Sequence, residues 1–231
     1  MSQIHFIGGE KGGVGKSVVA RLLAQYFIDR GFPFAGVDGD ASHGALVRHY
    51  GDFSQFVDLS SNDSADQILD RALGADRRVL VDLPAQSARS LDAWLTGANV
   101  LGLARELGTP ITFWHISDGG YASVVQLDKA LNRYTDGVAH VVVRNHARSK
   151  DFTQLDASPA MQKLGELSGK VVDLPELDSS AMYKMDSSGL SYWAGAHMAE
   201  GENALKPLER ERVKLWLGRS YAELDKLAAS I

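Results

Sequence analysis

The 231 residues are 45% hydrophobic and 23% charged, the size and balance of one globular α/β domain spanning residues 1–231. The absence of cysteine excludes disulfides, thiolate metal sites and cysteine nucleophiles, and a formal charge of −5 does not favour a nucleic-acid binder. No apolar run approaches the roughly 20 residues of a membrane-spanning helix, and Met1-Ser2-Gln3-Ile4-His5 lacks the charged and apolar regions of a signal peptide, so a cytoplasmic location is expected.

In chain order, residues 4–7 predict a buried first strand, and residues 17–30 a helix with Val18, Leu22 and Tyr26 on one face, stopped by Gly31. Between them runs Gly9-Glu10-Lys11-Gly12-Gly13-Val14-Gly15-Lys16-Ser17. Gly12, Gly13 and Gly15 carry no Cβ, so the backbone can turn tightly and aim its N–H groups at an oxyanion. The start of the following helix adds its dipole and unpaired amides. In such a cradle Lys16 reaches the β- and γ-phosphates and the Ser17 hydroxyl supplies an oxygen to Mg²⁺. The expected nucleotide-binding set is Gly12, Gly13, Val14, Gly15, Lys16, Ser17 and Val18.

Residues 32–37 predict a short strand that delivers Asp38 and Asp40 to its C-terminal end, the edge where open parallel sheets bind ligands. A strand near 53–59 and a helix over 63–73 follow. Residues 78–84 read as an apolar strand that carries Asp82 at its end, and 86–107 as one long helical pattern. Residues 111–116 and 138–143 predict two further buried strands with a helix over 121–134 between them. A helix over 158–167 and a last strand over 171–174 complete the alternation. It predicts an α/β fold, doubly wound, with a mainly parallel sheet covered by helices on both faces. Pro207 suits a first helical turn, and Val213, Leu217, Tyr221, Leu224, Ala228 and Ile231 at helical spacing predict an amphipathic helix over 207–231 packed on the same domain. Glu209, Glu211, Glu223 and Asp225 interrupt its basic residues, which argues against a membrane-surface role.

Asp82 at the end of an apolar strand has the Walker B arrangement, in which a carboxylate beside the phosphate loop holds Mg²⁺. No Asn/Thr-Lys-x-Asp guanine motif occurs, so ATP is favoured over GTP. His43, His49, His115, His140 and His146 show no metal-ligand spacing. A strict P-loop would place glycine at Glu10; here a second lysine, Lys11, sits inside the loop instead. The segment Lys11-Gly12-Gly13-Val14-Gly15-Lys16-Ser17 resembles the deviant Walker A motif of the ParA/MinD family of P-loop ATPases, a resemblance that runs over residues 4–177.

That resemblance implies the P-loop NTPase fold and a Mg²⁺-dependent ATPase that forms a nucleotide sandwich homodimer. Lys11 would cross to the nucleotide of the opposite subunit. Asp38-Gly39-Asp40 would be the first switch, with Asp40 orienting the attacking water and Asp38 joining Ser17 and Asp82 around Mg²⁺. Asn145 would recognise adenine and Pro175 would flank the base. An activating protein partner is implied, and non-specific DNA is a further partner to weigh against the acidic balance. Ala41-Ser42 and Ala85 stand where the family often has Pro-Gln and a second proline, so both switches depart from its pattern. Asp118-Gly119-Gly120 and Leu174-Pro175-Glu176-Leu177 resemble the conjugal-transfer TraL branch, which places plasmid transfer beside segregation and cell positioning. The lack of cysteine excludes the iron–sulfur and arsenite-pump relatives. The rival expectation is an ATP-dependent ligase of the dethiobiotin synthetase or cobyrinate amidation type; a third is a nucleotide-binding adaptor without hydrolysis.

Overall fold

The computed structural model describes residues 2–9, 11–41, 44–135 and 137–227; Glu10, Ser42, His43, Ala228 and Ile231 lie outside them. Strands β1 (Gln3–Gly8), β2 (Phe34–Asp38), β3 (Ser54–Phe56), β4 (Arg78–Asp82), β5 (Ile111–Ser117), β6 (Val138–Asn145) and β7 (Lys170–Leu174) form one seven-stranded sheet in the order β3-β2-β4-β1-β5-β6-β7. Every neighbouring pair is parallel, as the alternation of strands and helices predicts.

The inner strands are apolar on both faces because helices cover both. Ile4 and Phe6 of β1 point into one layer with α3 (Asn62–Leu73), α4 (Ala88–Gly97) and α5 (Val100–Glu106). Farther along that layer, α6 (Tyr121–Arg133), α7 (Thr153–Asp156) and α8 (Pro159–Glu166) pack on Val142. Ile7 points the other way, into a core shared with α1 (Lys16–Asp29), α2 (Ala45–His49), α9 (Ser179–Ser188), α10 (Tyr192–His197) and α11 (Pro207–Asp225). From β1 the chain runs outward to β2 and β3, returns to β4 beside β1, and then crosses to β5 on the other side. The crevice at the carboxyl end of β1 is therefore the point where the winding reverses, the place such sheets offer to a ligand.

Two features differ from the sequence expectation. The pattern over 86–107 is two helices: the chain breaks after Gly97, and Asn99 adopts a left-handed conformation with φ 49°. Asparagine tolerates that region, and its amide packs over Gly102, where a Cβ would lie 2.5 Å from Nδ2. The short helices α2, α7, α9 and α10 have no counterpart in the apolar periodicity. Helices α9 and α10 are instead started by local caps: Asp178 accepts from the Ala181 amide at 3.1 Å and Ser191 from Ala194 at 3.1 Å.

Helix α11 buries Val213, Trp216, Leu217 and Leu224 against the body of the protein. Its Asp225 accepts from the Tyr26 hydroxyl at 2.8 Å and from Arg30 at 2.7 Å. Trp216 meets Tyr192 edge-on at 4.9 Å and donates its indole N–H to the Pro175 carbonyl at 2.7 Å. Trp216→Ala removes that contact area and leaves a carbonyl unpaired, so it should destabilise by ~3–5 kcal/mol. Urea denaturation followed by circular dichroism checks this; a loss below about 1 kcal/mol would mean that α11 is not integral to the core.

Candidate functional site

Glycine backbone geometry shapes the loop that joins β1 to α1. Gly9, Gly13 and Gly15 have φ values of 137°, 76° and 106°, a region that side-chain-bearing residues rarely adopt. A Cβ on Gly12 or Gly13 would meet nothing within 4 Å, so that side of the loop is open to a ligand. Gly15 is different: a Cβ there would lie 2.3 Å from the Asn145 amide nitrogen, which donates to the Val14 carbonyl at 2.7 Å. The loop is thus pinned from β6. Val14 itself is buried as an apolar anchor.

Lys16, only 8% exposed, donates its ammonium to the Lys11 carbonyl at 3.0 Å and so curls into its own loop. Gly12, Gly13, Gly15, Lys16, Ser17 and Val18 line one cavity of about 450 Å³, which Asp82 at the end of β4 and Asp40 in the loop after β2 also line. The strand register explains the meeting: Asp82 lies opposite Ile7 of β1 on one side and Asp38 of β2 on the other.

Asp82 is buried and takes a hydrogen bond from the Ser17 side chain, while its Oδ1 has no hydrogen-bond partner among the described residues. Burial pushes its carboxyl up to about 7, against the pull of Ser17, and the neighbouring Asp38 adds to the rise. A buried carboxylate oxygen without a donor is a poor feature for stability and a good one for a cation, because a hard divalent ion prefers carboxylate and hydroxyl oxygens. Ser17 and Asp82 therefore fit Mg²⁺.

Three expected site residues have protein partners of their own in this structure. Asp38 was expected beside Mg²⁺, but its carboxylate accepts from the backbone amides of Asp40 at 3.1 Å, Leu46 at 2.8 Å and Val47 at 3.3 Å. It starts α2 and shapes the turn that carries Asp40, and it does not line the cavity. Asn145 was expected at adenine, but it is 2% exposed and its side chain is held at both ends, at Val14 and at the Ala147 amide 3.1 Å away. Pro175 was expected beside the base, but it lies outside the cavity lining and its carbonyl takes the Trp216 indole.

Lys11 is a partly exposed group outside that cavity. Its amide donates to the Gln126 side chain at 3.1 Å, and its ammonium pairs with Asp118. Asp118 also accepts from the Ser123 hydroxyl at 2.7 Å and the Gly120 amide at 3.1 Å. Burial alone would raise its carboxyl; Lys11, Ser123 and Gly120 outweigh it and hold the group below the usual carboxylate range.

The cavity also has cationic walls that the motifs do not announce: Arg21, Arg48 and Arg148. Arg21 is buried and donates to Asp186 at 2.8 Å and to the His49 Nε2 at 3.0 Å, which joins α1, α2 and α9. Burial, then Arg21, pushes His49 down to about 4, so it stays a neutral acceptor. The one sequence signal for Arg21 is its spacing, four residues beyond Ser17 on the same helix face.

The fold and the cradle define a parallel α/β protein of the P-loop NTPase fold with two lysines in its phosphate loop. No family model matches the chain. It is similar to the protein TraL of Escherichia coli, 24% identical over 99% of both chains, and to MobD of Acidithiobacillus ferrooxidans, 25% identical over 75% of this chain and 78% of MobD. Among solved structures it is similar to the cell division ATPase MinD of Pyrococcus furiosus, 19% identical over 98% of this chain and 100% of that one, with a TM-score of 0.54. MinD of Pyrococcus horikoshii, solved with Mg-ADP, is 16% identical over 100% of both chains, also with a TM-score of 0.54. These likenesses bear out the resemblance to the ParA/MinD-like P-loop ATPases.

The raised Asp82 carboxyl gives a signed prediction. A group that holds its proton in the folded chain up to about pH 7 but loses it near 3.8 when unfolded makes the ligand-free protein less stable as pH rises across that window. The penalty stays above it, at most about 4 kcal/mol. Asp82→Asn should flatten that slope, raise the melting temperature of the ligand-free protein at neutral pH and above, and abolish any extra stabilisation that Mg²⁺ adds to ATP. Thermal melts with ATP in Mg²⁺ or in chelator measure all three. A Mg²⁺ increment that survives Asp82→Asn would contradict the assignment.

Proposed function

We propose that this chain is a Mg²⁺-dependent ATPase that works as a dimerisation switch, closing around ATP and resetting by slow hydrolysis. The observation that carries the reading is the division of labour between the two loop lysines. Lys16 is buried and lines the cavity, whereas Lys11 lies outside the lining and half-exposed on the molecular surface. A phosphate-loop lysine that does not face its own phosphates has a use when a second subunit brings another nucleotide against it. There its charge would stabilise the phosphoryl group in transfer, as an arginine finger does.

The remaining roles follow from position. The backbone amides of the loop and Lys16 hold the phosphates, and Arg48 and Arg148 add positive charge around the same cavity. Ser17 and Asp82 would hold Mg²⁺, which when bound neutralises charge between the β- and γ-phosphates. Asp40 faces the cavity as a carboxylate able to orient a water. Its peptide N–H is anchored on Asp38, so Asp38 positions Asp40 instead of touching the nucleotide. Because catalysis of this kind is positioning plus electrostatics, turnover is expected to be slow until a partner protein fixes the switch around Asp40.

Full-length similarity to TraL, together with Asp118-Gly119-Gly120, supports plasmid transfer as the process ahead of segregation or cell positioning. A membrane as the working surface is disfavoured. No described helix is long and apolar enough to cross one, and the apolar stripe of α11 is covered by the core.

Asp40→Ala should bind Mg²⁺-ATP with little loss, hydrolyse it at least ~100-fold more slowly, and elute as a dimer in ATP. Adding Lys11→Ala should return it to monomer. Size-exclusion chromatography with light scattering, alongside phosphate release, reads both properties. Dimerisation that ignores nucleotide, or a double variant that still dimerises in ATP, would contradict the switch and favour the ligase reading.

A further inference from the structure

A second cavity, of about 360 Å³, lies on the other side of the loop, between the ends of β1 and β5 and the helices α4 and α6. Its size is that of a small-molecule site. Gly8 and Gly9 form its floor at the entry to the phosphate loop, Ser87 and Ala88 border it just after the Asp82-Leu83-Pro84 turn, and Phe113, Tyr134 and His115 form an aromatic wall. The Phe113 and Tyr134 rings are stacked 4.8 Å apart and 6° from parallel, and the Phe113 and His115 rings are 15° from parallel.

Among the aromatic wall residues the polar group is His115, whose protons are assigned through His140 behind it; Arg89, Asp92, Lys129 and Arg133 also line the cavity, with Arg133 and Asp92 paired to each other at 2.6 Å. His140 Nε2 lies 2.7 Å from the Tyr134 carbonyl, which only accepts, so Nε2 carries the proton. Burial keeps His140 neutral, so its Nδ1 is a lone pair, and His115 Nε2 donates to it at 3.0 Å. Burial, then His140, pushes His115 down to about 3, so at neutral pH its remaining nitrogen, Nδ1, is a bare acceptor. That atom has no hydrogen-bond partner among the described residues. An acceptor of fixed tautomer set in an apolar, aromatic wall favours a ligand that brings the donor.

We propose that this cavity is a binding site for a small neutral aromatic group bearing an O–H or N–H donor, phenol- or indole-like, with the donor hydrogen-bonded to His115 Nδ1. The ring would lie among Phe113, Tyr134 and Leu127, where flat apolar surface suits offset stacking. The site is wired to the surface lysine. Gln126 and Ser123 line the cavity, and they are the side chains that take the Lys11 amide and donate to Asp118. An occupant would therefore touch two of the groups that position Lys11.

The inference does not rest on ATP binding, and its test needs no nucleotide. Isotope-labelled protein is titrated with phenol and, separately, with toluene, which has the same ring and no donor, while amide and aromatic resonances are followed. Phenol should give saturable shifts at Phe113, His115, Tyr134 and the Lys11 amide, and bind at least ~10-fold more tightly than toluene, since a site built around a hydrogen bond rejects the analogue lacking it. In His115→Phe the two affinities should come within about twofold, because the acceptor that distinguishes them is gone. Equal binding of phenol and toluene by the parent protein, or no saturable shift at the wall residues, would overturn the proposal even if His115→Phe failed to fold. A tyrosine-bearing tripeptide, Gly-Tyr-Gly, separates sources: binding equal to phenol marks a side chain delivered by a partner, and exclusion marks a free molecule.

Discussion

Two buried carboxylates in register, Asp38 at the end of β2 and Asp82 at the end of β4, are the constraint on which the rest of this structure turns. Side by side at a sheet edge they repel and lose water, and each carboxyl is raised by burial above its usual range. The chain answers the two differently. Asp38 is satisfied by three backbone amides and so fixes the first turn of α2 and the position of Asp40. Asp82 receives the Ser17 side chain and keeps one oxygen without a donor among the described residues. Such an oxygen destabilises the ligand-free chain and creates a demand for a cation at the one place where the phosphate loop can share it.

The parallel sheet, both faces of its helical cover and the phosphate loop are legible in the sequence because each rests on local signals. Apolar runs of strand length alternate with 3.6-residue periodicity, and three glycines precede Lys16 and Ser17. What the sequence conceals depends on contacts between distant residues. Helix α2 is capped by a carboxylate eight and nine residues before the amides it accepts from, outside the window of an N-cap motif. Asn145 sits at the end of a late strand, where a base contact is a reasonable expectation. Only the folded chain brings it 131 residues back to Val14, and the tight fit over Gly15 shows that it braces the loop. The Lys11–Asp118 pair and the stacked His115 and His140 are invisible for the same reason, since the partners are 107 and 25 residues apart in the chain.

The phosphate loop thus has two sides. On one side Lys16 and Ser17 face Asp82 across the first cavity; on the other, Gly8 and Gly9 line the aromatic cavity beside α4 and α6. Lys11 stands between them, tied through Gln126 and Asp118 to the wall of the second cavity. For Lys11 to act on a neighbouring subunit its ammonium must leave Asp118. That pair is partly solvent-exposed and so of modest strength, which makes the exchange energetically accessible.

Whether Lys11 serves the nucleotide of the opposite subunit is tested most directly by mixing two inactive variants. Phosphate release is measured for Lys11→Ala alone, for Asp40→Ala alone, and for their equimolar mixture, combined before ATP is added and shown by two affinity tags to contain mixed dimers. In a mixed dimer the site that keeps Asp40 receives Lys11 from its partner, so activity should reappear on mixing, in about half of the sites of each mixed dimer if the two sites act independently. If Lys11 acted on the nucleotide of its own subunit, every site would retain one lesion. A mixture as inactive as its components would contradict the account.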